Sequence, residues 1–205
     1  MATMDALRVL CKERGITQIL YGAQPRLIIV GETHDHPAHL ENERSIVQLL
    51  QPEFVLHEAL GGRTYDPETQ ETKFLQGVPH DRYDDMVRDD IPSTLRNLFD
   101  DFGVPIIGMD LTNAELAPIV KLVKRTRRSK QDVTSHSNEI LPYRESRMAA
   151  RMIEYSSRTS GPLVAIMGNF HRRPTSAIHG PLREAVLTIG LDYMCIYQPK
   201  SSSQP

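Results

Sequence analysis

The 205-residue chain is the size of one domain and long enough to bury a core, and its apolar and charged fractions, 40% and 24%, are those of an ordinary soluble globular protein. A formal charge of −2 gives no global pull toward nucleic acid or an anionic membrane. No stretch approaches the roughly eighteen apolar residues of a membrane span, and the opening MATMDALRVLCKERG has too short an apolar run for a signal peptide, so a cytoplasmic protein is expected, with no membrane and no nucleic-acid partner. In chain order, periodicity predicts a helix over 3–14, an apolar run at Leu27–Val30, a helix over 40–51 and a run at Phe54–Leu56. A helix over 93–102, entered at Pro92 with Ser93 as cap, precedes the run Val104–Met109. Helices over 113–128 and 143–157, the run Leu163–Met167, a helix over 180–189 and the run Met194–Tyr197 follow. Cys11 and Cys195 belong to no CxxC or Cys/His spacing and read as buried small hydrophobes.

Apolar runs without in/out alternation suit strands covered on both faces, and their alternation with helices predicts an α/β three-layer sandwich around a mostly parallel sheet. Residues 1–199 read as a single α/β domain, with 61–92 as a polar, acidic excursion, part helix, in the position of a lid. Residues 200–205 read as a disordered tail. One internal echo stands out. LIIVGETH and LVAIMGNFH each end an apolar run in glycine with a histidine three residues later, at Gly31/His34 and Gly168/His171. The next run begins 23 residues after Gly31, at Phe54, and 25 after Gly168, at Tyr193, so the sheet is expected to hold two related β-GxxH-α-β halves.

Parallel strands would deliver their terminal polar residues to one edge of the sheet, where ligands bind in open α/β folds. Those residues are Glu32, His34, Glu58, Asp110 and His171. Two histidines and several carboxylates around one crevice are ligand types for a divalent metal that lowers the pKa of its water, with a carboxylate as general base, so hydrolysis is the natural reaction. Gly31 and Gly168 would let the chain leave each strand sharply. The plainer alternative is that polar residues follow strands because loops are solvated. His36, His39 and His57 are placed outside the site, His57 because it should point opposite to Glu58.

In LPYRESRMAARMIEY, Met148, Met152 and Tyr155 keep helical spacing and read as core. Arg144 at its start opposes the helix dipole and needs a partner, a carboxylate of the site or a substrate anion. The basic run KLVKRTRRSK, 121–130, has no interleaved aromatics and reads as a solvated helix end. No GxSxG, P-loop, GxGxxG or HExxH is present, which leaves serine or cysteine hydrolases little support.

LIIVGETHDHPAHLENERSIVQLLQPEFVLHEAL, YRESRMAARM and LVAIMGNFH together resemble the three signature blocks of the superfamily uniting Tiki metalloproteases, TraB/PrgY pheromone-shutdown proteins, ChaN haem-binding lipoproteins and erythromycin esterases, with the first block closest to the ChaN branch. The resemblance covers roughly Arg26 to Glu58 and Pro142 to Pro199. It implies a catalytic set of Glu32, His34, Glu58, Arg144 and His171, with His34, Glu58 and His171 as ligands of manganese, cobalt or zinc. This chain shows neither the lipoprotein leader usual in the ChaN branch nor the membrane anchor usual in the Tiki branch, and Glu145 stands where the family often has Asp. Arg172 and Arg173 follow His171 and, with Arg147 and Asp110, are the expected substrate contacts, favouring an anionic group. The expected function is a metal-dependent hydrolase of a peptide or ester bond in a small molecule or peptide. Two rivals stand beside it: a ChaN-type protein binding haem or another planar ligand without catalysis, and a noncatalytic interaction module. A homodimer is left open.

Overall fold

A computed structural model describes residues 2–33, 36–91, 95–96, 100–126, 138–173 and 175–199. The elements run α1 (Ala2–Glu13), β1 (Thr17–Tyr21), β2 (Leu27–Glu32), α2 (Pro37–Leu50), β3 (Val55–His57), β4 (Arg63–Asp66) and β5 (Glu71–Phe74). They continue with α3 (Arg82–Met86), β6 (Ile106–Gly108), α4 (Asn113–Thr126), α5 (Leu141–Ser156), β7 (Leu163–Gly168), a 3-10 turn (Asn169–Arg172), α6 (His179–Ile189) and β8 (Tyr193–Tyr197). The predicted helix over 93–102, with its Ser93 cap, falls largely outside the described residues, as do the end of the basic run and the tail at 200–205. No helix among the described residues is long and apolar enough to cross a membrane.

Every position of β2 and of β7 is buried, and side-chain parity divides those positions between two apolar layers. Ile28, Val30, Val164, Ile166, Met194 and Ile196 pack against Leu7 and Cys11 of α1 and Ile46, Val47 and Leu50 of α2. Leu27, Ile29, Leu163, Ala165, Tyr193 and Cys195 pack on the other face against Met148, Met152 and Tyr155 of α5 and Leu182 and Ala185 of α6. The result is a three-layer sandwich, and both cysteines lie in it as buried free thiols; burial pushes that of Cys11 up to about 11.

Strand order is β1-β8-β2-β7-β3-β6-β4-β5, with β8, β2, β7, β3 and β6 parallel and β1, β4 and β5 antiparallel to their neighbours. The two halves interlock: β2 lies between β7 and β8, and β7 lies between β2 and β3. Each crossover therefore skips one strand of the other half, and the two run in opposite directions along the sheet. Right-handed crossovers in opposite directions place their helices on opposite faces, which is why α2 and α6 cover different layers.

Three features depart from the sequence reading. β1 and β5 are the edge strands and β4 lies between β5 and β6, and the exposed or alternating positions of all three leave no apolar run to detect. Residues 61–91 form an extension, a β4–β5 hairpin joined to the sheet through β6 and followed by α3. Gly31 is not an exit from its strand, since it pairs with Met167 and Tyr197 and β2 runs on to Glu32; β7 does end at its glycine, Gly168, where the 3-10 turn begins.

The extension is fastened at Asp84. Asp81 caps α3 in a capping box with Asp84, and Asp84 also caps α4 by accepting the N–H of Asn113 at 2.9 Å and of Ala114 at 3.0 Å. Burial opposes its ionisation, but hydrogen bonds from Asn113, Ala114 and Asp81 hold the carboxyl below its ordinary 3.8. Asp84→Ala is expected to cost about 1–3 kcal/mol, because those donors lose their acceptor. A carboxyl depressed in the folded state stabilises above its ordinary value and ceases to as pH falls through the depressed one. The gap in denaturant midpoint between wild type and Asp84→Ala should therefore be full at pH 7 and shrink below about pH 4, as titration of both proteins in urea at the two pH values would show.

Candidate functional site

Strand parity also sets which way the polar strand ends face. Glu32 continues the side of Ile28 and Val30, and His57 continues the side of Val55, so both project toward the α2 layer. They approach diagonally across β7, where Glu32 is level with Gly168, which has no side chain, and His57 is level with Ile166. His57 Nε2 lies 3.8 Å from Glu32 Oε1, a close pair longer than a hydrogen bond. The Ala59 N–H donates to His57 Nδ1 at 3.0 Å, so in the neutral ring the proton sits on Nε2 and points toward Glu32.

Glu58, one residue on, faces the other layer. Its Oε2 accepts the Gly168 N–H at 2.8 Å and lies 3.5 Å from His171 Nε2. His171 Nδ1 is in turn 3.3 Å from Oε1 of Glu145, which is fully buried and accepts from Arg173 Nη1 at 2.7 Å and the Ala177 N–H at 2.8 Å. On the preceding position of α5, Arg144 binds Asp110 through Nε at 2.8 Å and through Nη2. Burial alone would lower the basicity of that guanidinium, but the Asp110 carboxylate more than offsets it, so the charge is held firmly. Asp110 is thus the partner that Arg144 needs at a helix start.

These ends open into a cavity of about 470 Å³ at the carboxyl edge of the parallel strands. Glu32, His57, Glu58, Asp110 and Arg144 line it from the sheet and α5, Glu43 and Leu40 from α2, and Arg63, Asp84 and Val87 from the extension. The extension at 61–91 therefore walls one side of the cavity. Of the residues singled out by sequence, Glu32, Glu58, Asp110 and Arg144 come together here, and His171 stands behind Glu58. Arg173 is engaged by Glu145, and Arg147 pairs with Glu115 of α4. His34 and the side chain of Arg172 lie outside the described residues.

Sequence reasoning left out three groups. His57 does point opposite to Glu58, yet the cavity wraps the end of β3 and both residues line it. Glu43 sits on the buried stripe of α2 with His39, Ile46, Val47 and Leu50, and a charged residue on an apolar stripe was the legible signal. Glu145 is masked in sequence by its surface-like arginine neighbours. His39 stays outside: the Thr33 N–H donates to its Nδ1 at 2.8 Å and its Nε2 lies 3.0 Å from the Pro199 carbonyl oxygen, so the ring ties the end of β2 to the chain after β8.

The donor set tests the expected metal. Among the described residues no three His, Cys, Asp or Glu side chains are grouped to hold a metal ion. Glu58 and His171 are adjacent, but Glu58 also accepts a backbone N–H and His171 also faces Glu145. The described part of the predicted trio does not make a metal site by itself.

No protein-family model matches the chain, and neither does any curated protein sequence. A solved structure described as "Cofacial heme binding to ChaN of Campylobacter jejuni" is similar over 86% of this chain and 88% of that chain, at 9% identity and a TM-score of 0.43. At that score no residue and no ligand is carried across.

Proposed function

We propose that the cavity is the active site of a hydrolase acting on an ester or amide bond of a small molecule or peptide. The observation that supports this reading is the Glu32–His57 pair, buried at the strand ends with its proton geometry set by the Ala59 N–H, beside an arginine fixed in the same wall. Convergent buried ionisable groups in a crevice are costly to hold without a use. With Nε2–H turned toward it, His57 orients Glu32 electrostatically, and Glu32 takes the proton from the attacking water and returns it to the leaving alcohol or amine. Arg144, held by Asp110, stabilises the oxyanion that forms between those steps. His171, between Glu58 and Glu145, positions Glu58 on the wall. Manganese, cobalt or zinc would enter through His34, Glu58 and His171, and no step above passes through a metal. Arg147, Arg172 and Arg173 remain proposed contacts for a substrate reaching beyond the cavity.

A panel of small esters and amides, assayed with and without added manganese, cobalt and zinc, tests the reading. Glu32→Gln and His57→Ala are each expected to lower kcat/KM by about 10²- to 10⁴-fold. A wild-type protein that turns over nothing in the panel under any of these conditions would sink the proposal.

The second reading, binding of haem or another planar ligand without catalysis, is favoured by Tyr143, a phenol 44% exposed on the first turn of α5 beside Arg144. Tyr21 does not serve it, because Tyr21 stacks on Tyr193 at the opposite, amino-terminal edge of the parallel strands. A saturable shift of the haem Soret band at micromolar concentration, lost in Tyr143→Phe, is the expected result on this reading. Titration without saturation removes it.

A further inference from the structure

We infer that the cavity selects a ligand carrying an organic cation, an ammonium or guanidinium group on an apolar body; this rests on the proposal that the cavity is the site of function. Five carboxylates line the cavity, Glu32, Glu43, Glu58, Asp84 and Asp110, against the two guanidiniums of Arg63 and Arg144. All five acidic residues are buried, the most exposed being Glu58 at 9%. Both cations are already engaged: Arg144 binds Asp110, and Arg63 donates to the carbonyl oxygens of Val87 and Arg88. A bound anion would have to compete with Asp110 for Arg144 and approach the remaining carboxylates at low dielectric, where like charges repel strongly. A bound cation meets five carboxylates against two guanidiniums; Glu43, Glu58, Asp84 and Asp110 already accept hydrogen bonds from the protein, so the attraction comes from the net negative charge of the wall. The charge balance therefore opposes the anionic substrate that Arg172 and Arg173 suggest in sequence.

The size of the cation follows from a separate observation. The carboxylates are spread around the walls, and no three of the described acidic or histidine side chains are grouped closely enough to share one metal ion. A charge distributed over a cavity of about 470 Å³ is matched by a larger cation whose N–H groups reach several acceptors in turn. Leu40, Val87, Leu95 and Leu111 supply apolar wall for the rest of such a molecule. A compact amphiphile with one charged nitrogen end fits both halves of that lining.

Calorimetric titration of chelator-treated protein with 2-phenylethylammonium, 2-phenylethanol and 3-phenylpropanoate, at low ionic strength, separates the charge from the shape. The ammonium is expected to bind saturably, at least about tenfold tighter than the alcohol and with the carboxylate weakest, and salt should erode the difference. Glu43→Gln and Glu32→Gln, checked for native circular dichroism, should each weaken the ammonium by about tenfold while changing alcohol binding far less. Two variants are used so that a folding defect at one buried site does not decide the outcome. Equal binding of alcohol or carboxylate, or no saturable binding of the ammonium, overturns the inference. So does stoichiometric displacement of the ammonium by manganese, which would show that the carboxylates serve a metal ion. The titration requires no turnover: ammonium binding without hydrolysis of any substrate would remove the hydrolase reading and keep this one, and hydrolysis of neutral esters without ammonium binding would do the reverse.

Discussion

Glu145→Ala is expected to lower the stability of the protein by about 3–5 kcal/mol, the cost of stranding buried partners of a removed charge. Glu145 is fully buried on α5 and collects Arg173, His171 and the Ala177 N–H around one carboxylate. It is the point at which α5, the 3-10 turn after β7 and the approach to α6 are joined by polar contacts. Removal takes the acceptor from the buried imidazole that backs Glu58, from a partly buried guanidinium and from the Ala177 amide. Glu145→Gln keeps the volume and one acceptor oxygen and should lose less, about half as much if the neutral hydrogen bonds survive. Urea denaturation of the three proteins at pH 7 provides the comparison. An alanine variant within about 1 kcal/mol of wild type would mean that the cluster is hydrated in solution and contributes little.

Gly108→Ala is expected to be at least as damaging, for a steric reason. A Cβ at Gly108 would lie 1.1 Å from the carbonyl oxygen of Leu60, 2.3 Å from its carbon and 2.9 Å from the carbonyl oxygen of Arg63. All three are backbone atoms, so no side chain can rotate away and the turn from β3 into β4 must move as a whole. That turn carries Gly61 and Arg63 into the wall of the cavity, so the loss reaches both fold and site. The expected cost exceeds about 4 kcal/mol, in the range reserved for gross steric or buried-charge defects. Thermal melting and limited proteolysis would register it. Gly180→Ala is the control, since nothing lies within 4 Å of its added Cβ in α6, and it should be neutral or slightly stabilising. Should Gly108→Ala melt with wild type, the close approach of β6 to the β3–β4 turn is wrong.

The candidate site was legible in sequence to the extent that strand ends announce themselves. An apolar run such as LIIV followed by Gly-Glu, or FVL followed by His-Glu, marks where a buried strand meets polar surface, and parallel strands bring such ends together whatever their order. Glu32, Glu58 and Asp110 were found that way, and Arg144 through the expectation that a cation at a helix start needs a carboxylate. His57 was missed because alternation along one strand says which face a residue takes but not how far a cavity extends around that strand. The metal trio comes from the resemblance; of it, Glu58 and His171 lie 3.5 Å apart and His34 is outside the described residues.

Local patterning by itself determined the five parallel strands, the helices that cover them and the polar character of one sheet edge, since each follows from hydrophobic period within a few residues. Tertiary structure alone decided which ends face each other. The order β8-β2-β7-β3-β6 brings Glu32 and His57 together across β7, puts Glu58 beside His171, and turns residues of the 61–91 extension into a cavity wall. The Gly168–Glu58 hydrogen bond spans 110 positions of sequence. Nothing in either segment's own period specifies the other, because the pairing of strands is set by how two apolar layers close over one sheet and not by any local preference of the residues that then meet.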